Sequence, residues 1–128
     1  GWIVVVWLGA LVLDYITGSA AAAKDGEWSS KIAREGLWHK AGSIAAVLVA
    51  AMCDIALSII IDGIGAQVVT DWLGGSMTFI TPTVCIWYII TESGSILENA
   101  DKLGAKIPKF LRNRLDKLKD TVEEKADE

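Results

Sequence analysis

Three acids stand in largely apolar surroundings. Asp14 follows thirteen residues without a charge, Asp54 interrupts residues 41–61, and Glu92 closes the apolar stretch 76–91. A carboxylate so placed is protonated, faces a partner helix or water, or lies near enough to a membrane surface for a cation to reach it. The chemistries open to it are neutralisation, attraction of cations and anchoring of a helix end. The rest of the reactive inventory is sparse. His39 is the only histidine, so neither a Ser-His-Asp arrangement nor a His-rich metal centre can be built within the chain. His39 reads as an interfacial residue or a pH sensor. Cys53 and Cys85 both fall in apolar blocks and read as small packing residues rather than a disulfide framework. Gly63-Ile-Gly65 follows an acid and lacks a lysine, so it is not a phosphate loop. A net charge of −4 gives no basic balance toward nucleic acid. An enzyme is not expected, nor a metal, a cofactor or a nucleic-acid partner.

The elements that must position these acids follow from the uneven charge. The chain has 128 residues, of which 52% are hydrophobic, and its mean hydropathy is +0.41. All twelve Lys and Arg lie either between residues 24 and 40 or after residue 101. Charge-free blocks separated by charged ones are the pattern of a membrane protein. The expected architecture is all-α, with three transmembrane helices at about 1–18, 41–61 and 76–97. Residues 1–104 would form the transmembrane domain and residues 105–128 a cytoplasmic tail. The first span lacks the basic start of a signal peptide and reads as a membrane span. Lys24, Lys31, Arg34 and Lys40 lie between the first two spans, whereas residues 62–75 carry Asp62 and Asp71 but no cation. The positive-inside rule therefore places residues 19–40 and the tail in the cytoplasm and residues 62–75 outside. Trp2, Trp28, Trp38, Trp72 and Trp87 fall near span ends or flanks, as interfacial aromatics do. Ser29 or Ser30 can cap a short amphipathic helix carrying Ile32, Leu37 and Trp38.

Spacing then assigns faces. Gly42, Ala46, Ala50, Asp54, Ser58 and Asp62 recur every four residues along a slowly drifting stripe of the second span. Thr78, Thr81, Cys85, Tyr88, Glu92, Ser95, Asn99 and Lys102 alternate three and four apart, the period of a helix–helix interface. Pro82 lies in what reads as the second turn of that span, where it can bend the helix. These stripes either pack the three helices of one copy or face a second subunit or a lumen. The face Gly42, Ala46, Ala50, Asp54, Ser58, Cys85, Tyr88 and Glu92 is the candidate oligomer or lumen surface. Asp14 lies about one turn from the cytoplasmic end of its span, within reach of Lys24 or Lys40 and level with Glu92. Asp54 lies roughly 20 Å from the cytoplasmic end of its span at 1.5 Å per residue, the deeper and costlier acid.

In the tail, Pro108 suits a first helical position. Leu111, Leu115, Leu118 and Val122 follow with four-three-four spacing among Lys109, Arg112, Arg114, Lys117 and Lys119. This is a basic amphipathic helix, suited to an anionic lipid surface or to pairing with its copies.

LDYITG (13–18), SSKIAREGLWHK (29–40) and ESGSILENADKLGAKIP (92–108) resemble the signature of the toxin-secretion and phage-lysis holin family. The motif residues are Asp14, Tyr15, Thr17, Gly18, Glu98, Asn99, Gly104 and Pro108, and the likeness runs from about residue 10 to 112. The resemblance implies a small phage or prophage protein of the bacterial inner membrane that assembles with itself. It would open lesions that release an endolysin or a toxin, ending in host cell lysis. It also implies a further apolar segment upstream of the Asp-Tyr motif, hence a fourth span before residue 1. Two other readings stand beside it: a membrane scaffold or regulator that oligomerises without opening, and a small cation-selective channel using Asp54 as a ring of charge.

Overall fold

The structure is a computed structural model and describes residues 2–65, 67 and 80–127. Among these residues it is all-α, with α1 at Trp2–Lys24, α2 at Ser30–Ile64, α3 at Ile80–Lys102 and α4 at Lys109–Asp127. The expectations placed on Asp71, Trp72, Thr78 and the first four residues of the third span lie outside the described residues. Three helices, α1, α2 and α3, are long and apolar enough to cross a membrane.

Local chemistry sets the helix ends. α1 stops at Gly26, whose φ of 70° is the left-handed geometry that terminates helices. The Glu27 N–H reaches Ala22 O at 2.9 Å and the Gly26 N–H reaches Ala23 O at 3.2 Å, so the last carbonyls are satisfied. α3 ends in the same way, with Gly104 at φ 99° and the Ala105 N–H on Ala100 O at 3.0 Å. The Lys24 ammonium adds a contact to the Lys102 carbonyl at 3.1 Å, a cation at a helix C-terminus. Pro108 directly precedes α4, and its carbonyl accepts from the Leu111 N–H.

α2 differs from expectation. Ser29 is its N-cap, with its hydroxyl accepting from the Ile32 N–H. The short amphipathic helix it opens does not end before the span. It continues without a break for 35 residues, about 52 Å at the α-helical rise. Nothing between Trp38 and Ser43 supplies a stop, because a helix interior tolerates an isolated glycine such as Gly42 and no proline intervenes. Pro82 also differs. The N–H groups of Ile80 and Thr81 donate to a side chain of α2, and Pro82, the third residue of α3, lies in its first turn. There its missing N–H costs no hydrogen bond, and it need not bend the helix.

α3 is the central element. It packs most extensively on α1 and then on α4 and α2, whereas α1 and α2 barely touch. The core joins Trp7 and Leu11 of α1, Val47 of α2 and Cys85 of α3, with Ile3, Val4, Val84, Tyr88 and Ile89 around them. Val5, Val12 and Ile16 of α1 and Leu48, Met52, Ile55 and Ile59 of α2 all point outward. In water these apolar faces would be unstable; against lipid tails they carry no penalty. α4 returns antiparallel to α3, so that Val122 and Ala126 come level with Thr83, Val84 and Trp87.

Candidate functional site

Two of the three acids in apolar surroundings, Asp14 and Glu92, meet at one place. Lys40 projects from α2 between α1 and α3. Its Nζ lies 2.7 Å from Asp14 Oδ2 and 3.1 Å from Glu92 Oε2. All three side chains are largely buried, at 14%, 18% and 13% exposure. Two carboxylates share one ammonium, so the trio carries a net negative charge when fully ionised. Asn99, two turns beyond Glu92 on α3, completes the node. Its Nδ2 lies 3.2 Å from Asp14 Oδ1, 3.2 Å from Thr17 Oγ1 and 3.4 Å from Asp14 O. The Thr17 hydroxyl in turn donates to Leu13 O at 2.8 Å. Gly18 marks the close approach of α1 and α3, since a Cβ there would stand 3.4 Å from Asn99 Nδ2, at van der Waals contact. Tyr15 lies against Gly36 and tightens the otherwise slight α1–α2 contact.

This arrangement can hold three helices in register. Asp14, Lys40, Glu92 and Asn99 each find a partner on another helix, which is how membrane bundles keep polar side chains out of lipid. A cleft of about 550 Å³ opens beside the node, with Trp28, His39, Tyr88 and Glu98 among its lining. No group of three or more potential metal ligands occurs among the described residues.

The structure brings Asp14, Thr17, Gly18 and Asn99 of the resemblance motifs into direct contact, although 85 residues separate Asp14 from Asn99. Tyr15 and the exposed Glu98 flank them, while Gly104 and Pro108 shape the turn from α3 into α4. Of the two cations within reach of Asp14, Lys40 takes it and Lys24 goes to the end of α3.

Asp54 stands elsewhere. Its two carboxylate oxygens each accept a backbone N–H of α3, from Ile80 and Thr81, both at 2.7 Å. It caps α3 from across the helix pair, placing negative charge at a helix N-terminus. The α2 stripe does not keep one face: Ala50 is buried, Ala46, Asp54 and Ser58 are half-buried, and Gly42 and Asp62 are exposed. Residues four apart advance by about 40° per step, so a run from Gly42 to Asp62 rotates past any one neighbour. The α3 seam fares differently. Thr81 meets Asp54, Cys85 is fully buried, Tyr88 lies 6.4 Å from Trp7, Glu92 meets Lys40 and Asn99 meets Asp14. That seam is occupied by the chain's own helices.

Sequence reasoning gave no sign of the contact at Trp87. This residue sits inside α3, not at its end. Its indole N–H donates to Glu123 Oε1 of α4 at 2.9 Å, and Lys119 Nζ stands 5.4 Å from its ring centroid. Phe110, Arg112, Arg114 and Lys117 of the same helix remain exposed.

The family model for the bacteriophage holin family matches residues 1–120. An uncharacterised protein of Clostridium perfringens is 34% identical over 90% of this chain and 73% of its own length. An uncharacterised 14.9 kDa protein in the nagH 3′ region of Clostridium perfringens is 32% identical over 84% of this chain and 70% of its own length. A further uncharacterised protein, from Halalkalibacterium halodurans, is 30% identical over 89% of this chain and 76% of its own length. No solved structure matches.

Proposed function

The chain belongs to the bacteriophage holin family, and we propose that it homo-oligomerises in the bacterial inner membrane and opens a non-selective lesion. Through that lesion an endolysin or a toxin passes, and the host cell lyses. The observation that carries the reading is the meeting of Asp14, Thr17, Gly18 and Asn99 at a node that Lys40 ties to the second span. Motif residues from both ends of the chain thereby serve one task, the assembly of three spans into a unit. The unit's polar seams are turned inward and its outer faces are apolar. Three spans packed on one another enclose little, so passage of a large solute would require several copies.

The cationic segments, residues 19–40 and the tail, lie on the cytoplasmic side by the positive-inside rule. Induced expression in a bacterium is expected to collapse the membrane potential abruptly, stop growth and release a folded cytoplasmic reporter enzyme. Abundant membrane-inserted protein with potential and reporter retention intact would overturn the reading. One observation favours a second reading. The apolar outer faces suit a scaffold that assembles without opening, which predicts oligomers without leakage. The cation-channel reading loses its main support, because both Asp54 oxygens are engaged by α3.

A further inference from the structure

α4 is held loosely for a docked helix. None of its residues is fully buried; Leu115 and Val122 are half-covered, while Leu118 is 52% exposed and Phe110 65%. Its charges are also sorted around the helix, Lys109 and Lys117 excepted. At about 100° per residue, Arg112 and Lys119 flank the stripe Leu111, Leu115, Leu118 and Val122 on one edge, and Arg114 and Lys125 flank it on the other. Every acid of the helix, Asp116, Asp120, Glu123, Glu124 and Asp127, lies on the remaining side. Cations bordering an apolar stripe, with anions turned away, complement a surface of anionic headgroups over acyl chains.

The docked position conflicts with such a surface. Trp87 lies five residues beyond Glu92 toward the outer end of α3, about 7 Å past the polar node. Glu123 meets it there. In a bilayer this draws the acidic end of α4 toward the hydrocarbon, where charge is costly.

We propose that α4 is a two-place helix: docked on α3 at Trp87 in one place, and laid on the anionic phospholipid surface of the cytoplasmic leaflet in the other. Val122 and Lys119 serve both places, against Val84 and Trp87 of α3 in one and at the lipid surface in the other, so occupying one vacates the other. Anionic lipid then draws α4 off α3 and uncovers Thr83, Val84 and Trp87. The exchange does not depend on whether the assembled protein opens a lesion.

The test uses the full chain with Cys53→Ala and Cys85→Ala, checked for unchanged helical content, and an environment-sensitive fluorophore on Leu118→Cys. It is reconstituted in phosphatidylcholine vesicles with and without phosphatidylglycerol. Phosphatidylglycerol is expected to shift the emission to the blue. High salt, or Arg112→Gln, Arg114→Gln, Lys119→Gln and Lys125→Gln together, should abolish the shift. Asp120→Asn with Glu124→Gln should preserve it. In unlabelled wild-type protein, tryptic cleavage after Arg112 and Lys119 should slow about tenfold with phosphatidylglycerol. Emission and cleavage indifferent to phosphatidylglycerol overturn the proposal. So does a shift that follows protein density rather than lipid charge, which would mean pairing between copies.

Discussion

At the scale of residues, the decisive feature is that one ammonium serves two acids. Removing it leaves both carboxylates in a largely buried site, and an uncompensated charge there costs more than the pair contributes. Lys40→Met is therefore expected to destabilise the bundle by about 2–4 kcal/mol, seen as a lower thermal unfolding midpoint in detergent and less protein in the membrane. Adding Asp14→Asn and Glu92→Gln to Lys40→Met should restore much of that loss, since no charge is then left unpaired. A triple variant no better than Lys40→Met would mean that the node acts through geometry and not charge. Gly18 offers a graded probe of the same site. Its missing Cβ would stand 3.4 Å from the Asn99 amide, ordinary van der Waals contact, so Gly18→Ala is expected to be tolerated. Gly18→Leu must push Asn99 off Asp14 and Thr17, losing hydrogen bonds worth about 1 kcal/mol each. Equal thermal midpoints for the two variants would refute the close approach.

At the scale of elements, α3 depends on groups outside itself at both ends. Asp54 of α2 caps its start, so Asp54→Ala should cost about 1–2 kcal/mol and raise amide exchange first at Ile80 and Thr81. Exchange unchanged at those two amides would show that the cap is dispensable. Its end is turned by Gly104 at φ 99°, where an alanine is strained by roughly 1 kcal/mol. The elements also show what the chain reveals unaided. Three spans were legible because charge is absent from long blocks, and the α3 seam was legible because alternating steps of three and four stay on one face. The α2 stripe turns as it runs: strict steps of four rotate past any one neighbour, and within one copy only Ala50 is deeply covered. The continuity of α2 was hidden because a change in polarity at Lys40 looks like a boundary, although the backbone needs a stop signal to end a helix. The fold-back of α4 onto Trp87 was not legible at all. Its stripe says that the helix has an apolar face but not which partner covers it.

At the scale of the whole molecule, the length of α2 fixes how the bundle sits. About 30 Å of hydrocarbon takes up roughly twenty of its 35 residues. The stretch that can occupy it, free of cations and interrupted only by Asp54, begins just after Lys40, the residue at the node. The node then lies at one edge of the hydrocarbon, the cytoplasmic one in the proposed orientation. The α2 residues before Lys40, with Lys31 and Arg34, stand in the headgroups or beyond, and Ile64 emerges on the opposite side. Trp28 and Ile64 are both exposed, so cysteines introduced there are open to reagents unless the bilayer intervenes. With Cys53→Ala and Cys85→Ala as background, a membrane-impermeant maleimide added to spheroplasts is expected to label Ile64→Cys at once. Trp28→Cys should be labelled only after permeabilisation, provided that expression is kept below the level at which cells leak. The reverse pattern would invert the topology, turn the node outward and move α4 away from the cytoplasmic leaflet. Labelling of both from outside in non-leaking cells would mean that α2 does not span. Either result would undo the argument that the cations of residues 24–40 and of α4 hold the protein to one side of the membrane.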